Sequence, residues 1–171
     1  MFAVCAEGVV PGLGGYAEAR VRLDAQLASA LMSVPAIKGV EVGDGFAAAE
    51  RPGSLVHDEI VRGEDGMLRR ATNRAGGLEG GMTNGEPVLL RAAMKPIPTL
   101  MRPLKTIDLA TGEVADAARE RSDVCAVPAA AAVAEAEVAL MLANAYQDLL
   151  GRGCLGDMVR ALEGYRARIA R

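Results

Sequence analysis

The sequence lacks tryptophan, and all its aromatic residues together make up only 3% of the 171 residues. Since 51% of the residues are hydrophobic, the chain is expected to fold around a core of aliphatic side chains. Few rings are present to stack on bases, and no Lys/Arg-rich run occurs in a chain whose net charge is −3. Nucleic-acid binding is therefore not expected.

Cysteine and long apolar runs are also scarce. The three cysteines, Cys5, Cys125 and Cys154, are an odd number at wide spacing, which argues against a disulfide framework and fits a reducing compartment. No apolar run is judged long enough to span a bilayer, and no basic segment precedes the apolar residues at the N-terminus. We therefore expect no membrane partner and no signal peptide, and a cytoplasmic location.

Glycine, in contrast, is abundant, with 20 residues. Between the glycine-rich segments, period-two alternation predicts strands and apolar residues at helical spacing predict helices. The predicted strands are 2–10, 37–42, 88–94 and 106–109, and the predicted helices are 19–33, 128–150 and 157–170. Pro35 should end the first helix, Pro128 and Gly151 suit the two ends of the second, and Asp157 should cap the third. This mixture predicts one α+β domain over residues 1–171.

The glycine-rich segment 73–85 has two interpretations. It carries neither the G-x-G-x-x-G pattern at a strand-to-helix turn nor the P-loop pattern, so a general nucleotide site is only weakly indicated. A tight connection between strands is slightly favoured by the residues alone. The alternative is a backbone left bare for close approach to a flat ligand.

Three further positions carry candidate chemistry. Lys95 and Thr99 flank two prolines after a predicted buried strand, so they are either held in place for a phosphate or, more commonly, part of a solvated strand end. Arg121 and Asp123 precede the longest helix, where Asp123 is either a cap or an acid whose pKa depends on burial and on the neighbouring cation. Cys125 is expected to be a small core residue, and no metal site is predicted.

Taken in chain order, these segments resemble chorismate synthases. The matching segments are 10–14, 22–24, 37–46, 57–59, 72–77 with Gly80 and Gly81, 94–99 and 121–128. Each is weak alone, but the ordered set is specific. The resemblance covers the family's C-terminal half only: the family's N-terminal Ser-His-Gly and Ser-Ala-Arg motifs and its two catalytic histidines are not in these residues, and His57 is expected to be an ordinary surface histidine.

The resemblance implies a fold, an activity and partners. The fold would be the C-terminal portion of a β-α-β sandwich. The activity would be that of a carbon–oxygen lyase of the shikimate pathway, which eliminates phosphate from 5-enolpyruvylshikimate 3-phosphate in a 1,4-anti sense to give chorismate for aromatic amino-acid biosynthesis. It requires reduced FMN, and whether NADP supplies the electrons is left open. The family forms homotetramers, and this chain alone is expected to be inactive without a complementary N-terminal half.

The resemblance also assigns residues. The predicted FMN contacts are Pro35, Ala36, Gly80, Lys95, Pro96, Ile97, Pro98, Thr99 and Arg121. Asp123 is the predicted catalytic residue, kept ionised by Arg121 beside the flavin. Gly80, Lys95 and Asp123 are expected to converge on one cavity. The alternative is a non-catalytic fragment or assembly module that keeps subunit contacts through an apolar face of the last helix (Met158, Leu162, Ile169).

Overall fold

The computed structural model describes residues 1–64, 66–120 and 125–170. The strands are β1 (Phe2–Ala6), β2 (Ile37–Val42), β3 (Ile60–Arg62), β4 (Leu68–Arg70), β5 (Leu78–Glu79), β6 (Met82–Thr83), β7 (Val88–Met94), β8 (Lys105–Ile107) and β9 (Val114–Asp116). The helices are α1 (Leu23–Ser33), α2 (Gly45–Ala48), α3 (Val127–Leu150) and α4 (Leu155–Ile169).

The central sheet has three antiparallel strands in the order β1-β7-β2. The alternating side chains of β7, Val88, Leu90 and Ala92, are buried on the face that packs against the helices. Arg91 lies between two of them and is only half-buried, because successive side chains of a strand point to opposite faces. The helices therefore cover one face of the sheet.

Helices α1 and α3 pack on that face. Leu23, Leu27 and Leu31 of α1 are fully buried, and they join Ala134 and Val138 of α3 in one hydrophobic cluster with the strands. The helical face predicted for residues 19–33 is confirmed, although α1 begins only at Leu23. The aliphatic core expected from the lack of aromatics is also confirmed.

Three two-stranded hairpins extend from this body: β3 with β4, β5 with β6, and β8 with β9. The first two lie in segments that the sequence pattern assigned to irregular structure. The expected strand 106–109 is the first arm of the third hairpin. Helix and sheet are thus mixed as the predicted α+β class requires, and the strands 37–42 and 88–94 are confirmed at both ends.

Two local expectations about side chains are wrong. Helix α4 is preceded by Cys154 at its N-cap, whereas Asp157 lies inside the first turn and accepts a hydrogen bond from the Cys154 thiol (Sγ–Oδ2 3.3 Å). Cys125 is exposed rather than in the core, since α3 begins to pack against the sheet only at Ala130. The predicted apolar face of α4 holds, with Leu162 and Tyr165 half-buried against the main cluster.

Helix α3 also corrects the expectation about apolar runs. Among the described residues it is the one helix long and apolar enough to cross a membrane by length and composition. It packs Ala130, Ala134 and Val138 against the rest of the chain. Core helices meet the same two criteria, so the finding by itself carries little weight.

Candidate functional site

The first cluster of predicted site residues lies where α1 ends and β7 ends. The backbone N–H of Lys95 donates to the carbonyl oxygen of Ala36 (2.9 Å), and the neighbouring residues Ile37 and Met94 pair across the sheet. Pro35 follows the last turn of α1 because proline cannot continue a helix. The structure therefore brings Lys95 next to Pro35 and Ala36, although 58 residues lie between Ala36 and Lys95 in the chain.

The backbone of Ala36 adopts an uncommon conformation. Its φ is 70°, the only positive φ of a non-glycine residue in the described chain. Such a conformation costs on the order of 1 kcal/mol for a residue with a Cβ atom. The chain turns between α1 and β2 within the three residues 34–36, and the Ala36 carbonyl oxygen faces the strand end at Lys95.

The segment after β7 is exposed and stiffened. Lys95, Pro96 and Pro98 are exposed, while Ile97 and Thr99 are half-buried. Among the described residues, Lys95 has no ion-pair partner, so its charge is available to an anion. The prolines fix φ, which reduces the conformational freedom that binding would have to remove.

Gly80 lies in the turn between β5 and β6, which is next to the beginning of α1. The carbonyl oxygen of the next residue, Gly81, accepts a hydrogen bond from the N–H of Leu23 (2.8 Å), the first residue of α1. The φ of Gly80 is 61°, and no described residue outside its own turn lies within 4 Å of the position that a Cβ atom would take. Its bare side therefore faces open space.

These positions separate Gly80 from Lys95. Gly80 is beside the beginning of α1, whereas Lys95 is bonded to the turn after its end. The 7 residues of β7 span about 20 Å at roughly 3.3 Å per residue. Because Asp123 lies outside the described residues, the expectation that Gly80, Lys95 and Asp123 converge on one cavity stays a prediction.

Arg121 and Asp123 lie outside the described residues, so their predicted roles remain predictions. The described chain that follows them begins α3 at Val127. Ala130, in the first turn of that helix, packs with Val34 and Ile37. Helix α3 therefore begins at the same end of the layer as the Ala36 and Lys95 cluster.

The glycine-rich segment 73–85 is mainly a tight connection between protein segments. A Cβ atom on Gly77 would lie 2.5 Å from the carbonyl oxygen of Pro87, and one on Gly76 would lie 2.8 Å from that of Leu89. Asn73 fixes the turn, because its side-chain oxygen accepts from the Gly77 N–H (2.7 Å) and its amide donates to Pro87 (2.8 Å). Among the glycines from Gly76 to Gly81, Gly80 alone has room for a ligand next to its Cα.

An acidic residue that the site prediction missed organises the start of this segment. Asp58 accepts hydrogen bonds from the Thr72 hydroxyl and from the backbone N–H groups of Arg74 and Ala75 (2.9 Å each). Burial acts to raise the pKa of Asp58, but these hydrogen bonds and the Arg74 charge hold its pKa below its ordinary value. The only signal in the sequence was its place in the segment 57–59.

A cavity of about 420 Å³ opens beside Asp58, with Arg70, Arg74 and Glu79 in its wall. Arg70 is paired with Glu79 (2.6 Å), and the Asp58 carboxylate is occupied by the hydrogen bonds just described. The charged side chains of the cavity wall therefore interact with one another, and the wall has equal numbers of acidic and basic residues. The exposed His57 lies at its rim.

Together these features define an α+β fold in which Lys95, a cation without an ion-pair partner among the described residues, lies on a proline-stiffened strand end. Residues 1–147 match the family model for chorismate synthase. The chain is 60% identical over 168 residues to the chorismate synthase of Rubrobacter xylanophilus, which covers 98% of this chain and 43% of that protein. It is 59% identical over 162 residues to that of Pseudarthrobacter chlorophenolicus, covering 95% of this chain and 41% of the relative.

A solved crystal structure of chorismate synthase agrees with this fold. Its TM-score is 0.81 at 40% identity, and the match covers 98% of this chain and 43% of that chain. The chain belongs to the chorismate synthase family, as the ordered segments predicted. It spans about two-fifths of the length of the curated relatives it matches.

Proposed function

We propose that this chain supplies one part of a chorismate synthase, a lyase that eliminates phosphate from 5-enolpyruvylshikimate 3-phosphate to form chorismate. The observation that carries this proposal is 60% identity along 98% of the chain to a protein of that name. Because the match uses only 43% of that protein's length, the chain acts together with the remaining part of the family's fold. A single folded domain, a cytoplasmic location and assembly into homotetramers are parts of the same proposal.

The exposed segment after β7 fits the phosphate of FMN. Lys95 offers a positive charge that no described residue neutralises, and Thr99 offers a hydroxyl four residues later. A charge-assisted hydrogen bond from a lysine to a phosphate oxygen is stronger than one between neutral groups. The hydrogen bond from the Lys95 N–H to the Ala36 carbonyl oxygen keeps Pro35 and Ala36 next to this segment. Pro35, Ala36 and residues 95–99 therefore form one binding surface.

The reduced flavin, when bound, supplies electron density that assists loss of the phosphate. Asp123 holds or moves a proton close to the cofactor, and Arg121 keeps its carboxylate ionised. In the complete enzyme, Asp123→Asn should therefore lower turnover far more than FMN affinity. Equal losses in both would make Asp123 a structural residue instead. Gly80 is a separate predicted contact, supported by its bare, open side.

The test of the binding surface is a pair of lysine substitutions. The chain is produced together with the remaining part of the Rubrobacter xylanophilus protein, and FMN binding is followed by the change in flavin fluorescence. Lys95→Ala should weaken FMN binding at least tenfold. Lys105→Ala is the matched control, since Lys105 lies on the β8–β9 hairpin and is paired with Asp116 (2.5 Å); it should leave the affinity within about twofold.

Two outcomes would contradict the proposal. Equal effects of the two lysine substitutions on FMN affinity would contradict the assignment of Lys95 as an FMN contact. Turnover by the 171-residue chain alone would overturn the view that it supplies only part of the active site. The alternative of a non-catalytic assembly module gains little support, because Met158, Leu162 and Ile169 of α4 are already half-buried against the chain itself.

A further inference from the structure

Two of the three tyrosines in the sequence hold the segment that follows β1. Tyr146 on α3 and Tyr165 on α4 are half-buried against the main hydrophobic cluster. The hydroxyl of Tyr165 donates to the carbonyl oxygen of Pro11 (2.7 Å). The hydroxyl of Tyr146 accepts from the N–H of Val10 (3.1 Å). The third tyrosine, Tyr16, is 75% exposed.

One peptide group joins the Tyr165 contact to the β5–β6 hairpin. The carbonyl of Pro11 and the N–H of Gly12 belong to the same trans peptide group, so they point in opposite directions. On one side the carbonyl accepts from Tyr165. On the other side the N–H donates to the carbonyl oxygen of Thr83 (2.8 Å). A continuous row of hydrogen bonds, in which each bond strengthens the next, therefore runs from α4 to β6.

The hydroxyl is the part of Tyr165 that lies closest to this peptide group. The φ of Gly12 is 90°, and a Cβ atom on Gly12 would collide with the Tyr165 hydroxyl oxygen, whereas the ring atom Cζ would be 3.7 Å away. The ring has its own contacts, since the guanidinium of Arg168 lies 4.9 Å from its centroid. Tyr165→Phe would therefore remove the hydrogen bond and leave the ring in place.

The segment held by the tyrosines continues along β6 towards the Gly80 turn. The N–H of Thr83 donates to the carbonyl oxygen of Leu13 (3.0 Å), and Gly14 forms a bridge with Met82. Gly80 lies only two residues before Met82. A change in the position of the segment is therefore passed to the turn through several backbone hydrogen bonds.

We propose that Tyr165 is a positioning residue for the flavin site: its hydroxyl holds the β5–β6 turn where the open side of Gly80 meets the cofactor. This inference rests on the proposed function, in which Gly80 contacts FMN. Tyr165 acts through the peptide group between Pro11 and Gly12 and not by contact with FMN. It extends the site to α4, which lies beyond the residues 1–147 that the family model matches.

A purely structural role for the Tyr165 hydroxyl is the alternative. Pro11 is half-buried, so water can replace the tyrosine as the donor to its carbonyl oxygen. The net contribution of such a hydrogen bond to folding is small. Water does not tie the peptide group to a helix, however, so the loss of the hydroxyl affects the position of the segment more than the stability of the fold.

The first test is a double-mutant cycle on FMN affinity. The chain is produced together with the remaining part of the Rubrobacter xylanophilus protein, and the Kd is measured by flavin fluorescence. Tyr165→Phe should raise the Kd at least fivefold, and Tyr16→Phe, the control at an exposed tyrosine, should leave it within about twofold. Gly80→Ala should also weaken binding. In that background Tyr165→Phe should change the Kd by less than about twofold, because the contact that it positions is already lost. In a Lys95→Ala background its full effect should remain.

The outcomes of the cycle separate this inference from the proposed function. A Kd that Tyr165→Phe leaves unchanged while Gly80→Ala raises it would overturn the positioning role alone. Additive effects of these two substitutions would do the same, because Tyr165 would then act somewhere other than at Gly80. A Kd that Gly80→Ala leaves unchanged would contradict the Gly80 contact itself, on which the inference rests.

Hydrogen exchange gives a second test that needs neither cofactor nor turnover. In the same protein without FMN, Tyr165→Phe should make the amides of residues 10–13 and 80–83 exchange at least fivefold faster, while the β7 amides keep their rates. Equally faster exchange in β7 would show that Tyr165 stabilises the whole fold. Unchanged exchange everywhere would show that the hydroxyl does not restrain the segment. Either result would overturn the proposal.

Discussion

At the scale of single residues, the buried hydroxyl of Thr83 links the β5–β6 hairpin to the segment that follows β1. Thr83 is 4% exposed; its Oγ1 accepts from the Leu13 N–H (2.9 Å) and donates to the Val10 carbonyl oxygen (2.7 Å). Its backbone oxygen accepts from the Gly12 N–H (2.8 Å). Thr83 therefore helps to fix the segment after β1 to the β5–β6 hairpin, together with the bridge between Gly14 and Met82.

Thr83→Val should destabilise the chain by about 2 kcal/mol, because the isosteric side chain leaves a buried N–H and a buried carbonyl without partners. Urea unfolding followed by circular dichroism measures this loss. Thr83→Ser keeps the hydroxyl and should lose less than half as much. Equal losses for valine and serine would assign the effect to the methyl group rather than to the hydrogen bonds.

Asp58 makes the free energy of unfolding depend on pH, and the direction of this dependence can be predicted. Its pKa is lowered in the folded state, so the stabilisation is fully present above its unfolded pKa and is lost as the pH falls through the folded pKa. Asp58→Asn should destabilise the chain by about 1–2 kcal/mol near neutral pH, because an amide accepts through one atom only. Unfolding free energies measured from neutral pH downward should show the difference between the two proteins shrinking below about pH 4. A difference that stays constant over this range would exclude the carboxylate as its cause.

At the scale of elements, the end of the central sheet is closed by glycines in contact. Gly43 follows β2 with a φ of 57° and donates its N–H to Leu89 (3.0 Å). A Cβ atom here would collide with the carbonyl oxygen of Arg74 and would lie 2.5 Å from the backbone nitrogen of Gly76. Both obstacles are backbone atoms, which cannot rotate away.

Gly43→Ala should therefore destabilise the chain by more than about 3 kcal/mol, since strain at positive φ adds to the collision. Gly112→Ala is the comparison, because Gly112 has a φ of 74° but, in the part of the chain that the structure describes, no neighbour within 4 Å of a Cβ atom. It should lose about 1 kcal/mol or less, the strain alone. Thermal unfolding of both variants checks this ranking, and similar melting temperatures would mean that the segment containing Arg74 moves aside.

The elements that could be predicted from the sequence are those with one-sided burial. Strand β7 and helix α1 show clear periodicity because one face of each is in the core. In β2 only Ile37 is buried, and a bulge between Ile37 and Gly39 interrupts the alternation. The β5–β6 hairpin has two residues in each strand, too few for a period, and the strands β3 and β4 are exposed on both faces or nearly so. The hydrophobic pattern of a sequence cannot reveal a strand that has no buried face.

The candidate site residues were assigned by resemblance, and their arrangement could not be predicted. From local chemistry alone, Lys95 before Pro96 is more commonly the solvated end of a strand. Its contact with Ala36 depends on the antiparallel pairing of β2 with β7, and the separation of Gly80 depends on which end of α1 the β5–β6 turn reaches. Both are long-range properties of strand order, which no segment of the sequence carries by itself.

At the scale of the whole molecule, stability should be uneven. The strand β7 is hydrogen-bonded on both sides and its core-facing residues are buried, whereas every residue of β8 is exposed. In native-state hydrogen exchange, β7 amides should open only with global unfolding, and β8–β9 amides should exchange at least 100-fold faster. Comparable protection in the two elements would show that the hairpin is folded against surfaces outside the 171 residues.

The strand order has a consequence for synthesis on the ribosome. Strands β1 and β2 never touch each other in the sheet; each pairs only with β7, which is made after both. Until residue 94 has left the exit tunnel, β1, β2 and α1 lack the strand that joins them within these 171 residues, and their apolar surface stays uncovered by it. Translation that stalls within the glycine-rich segment before β7 would therefore leave a nascent chain that depends on chaperones.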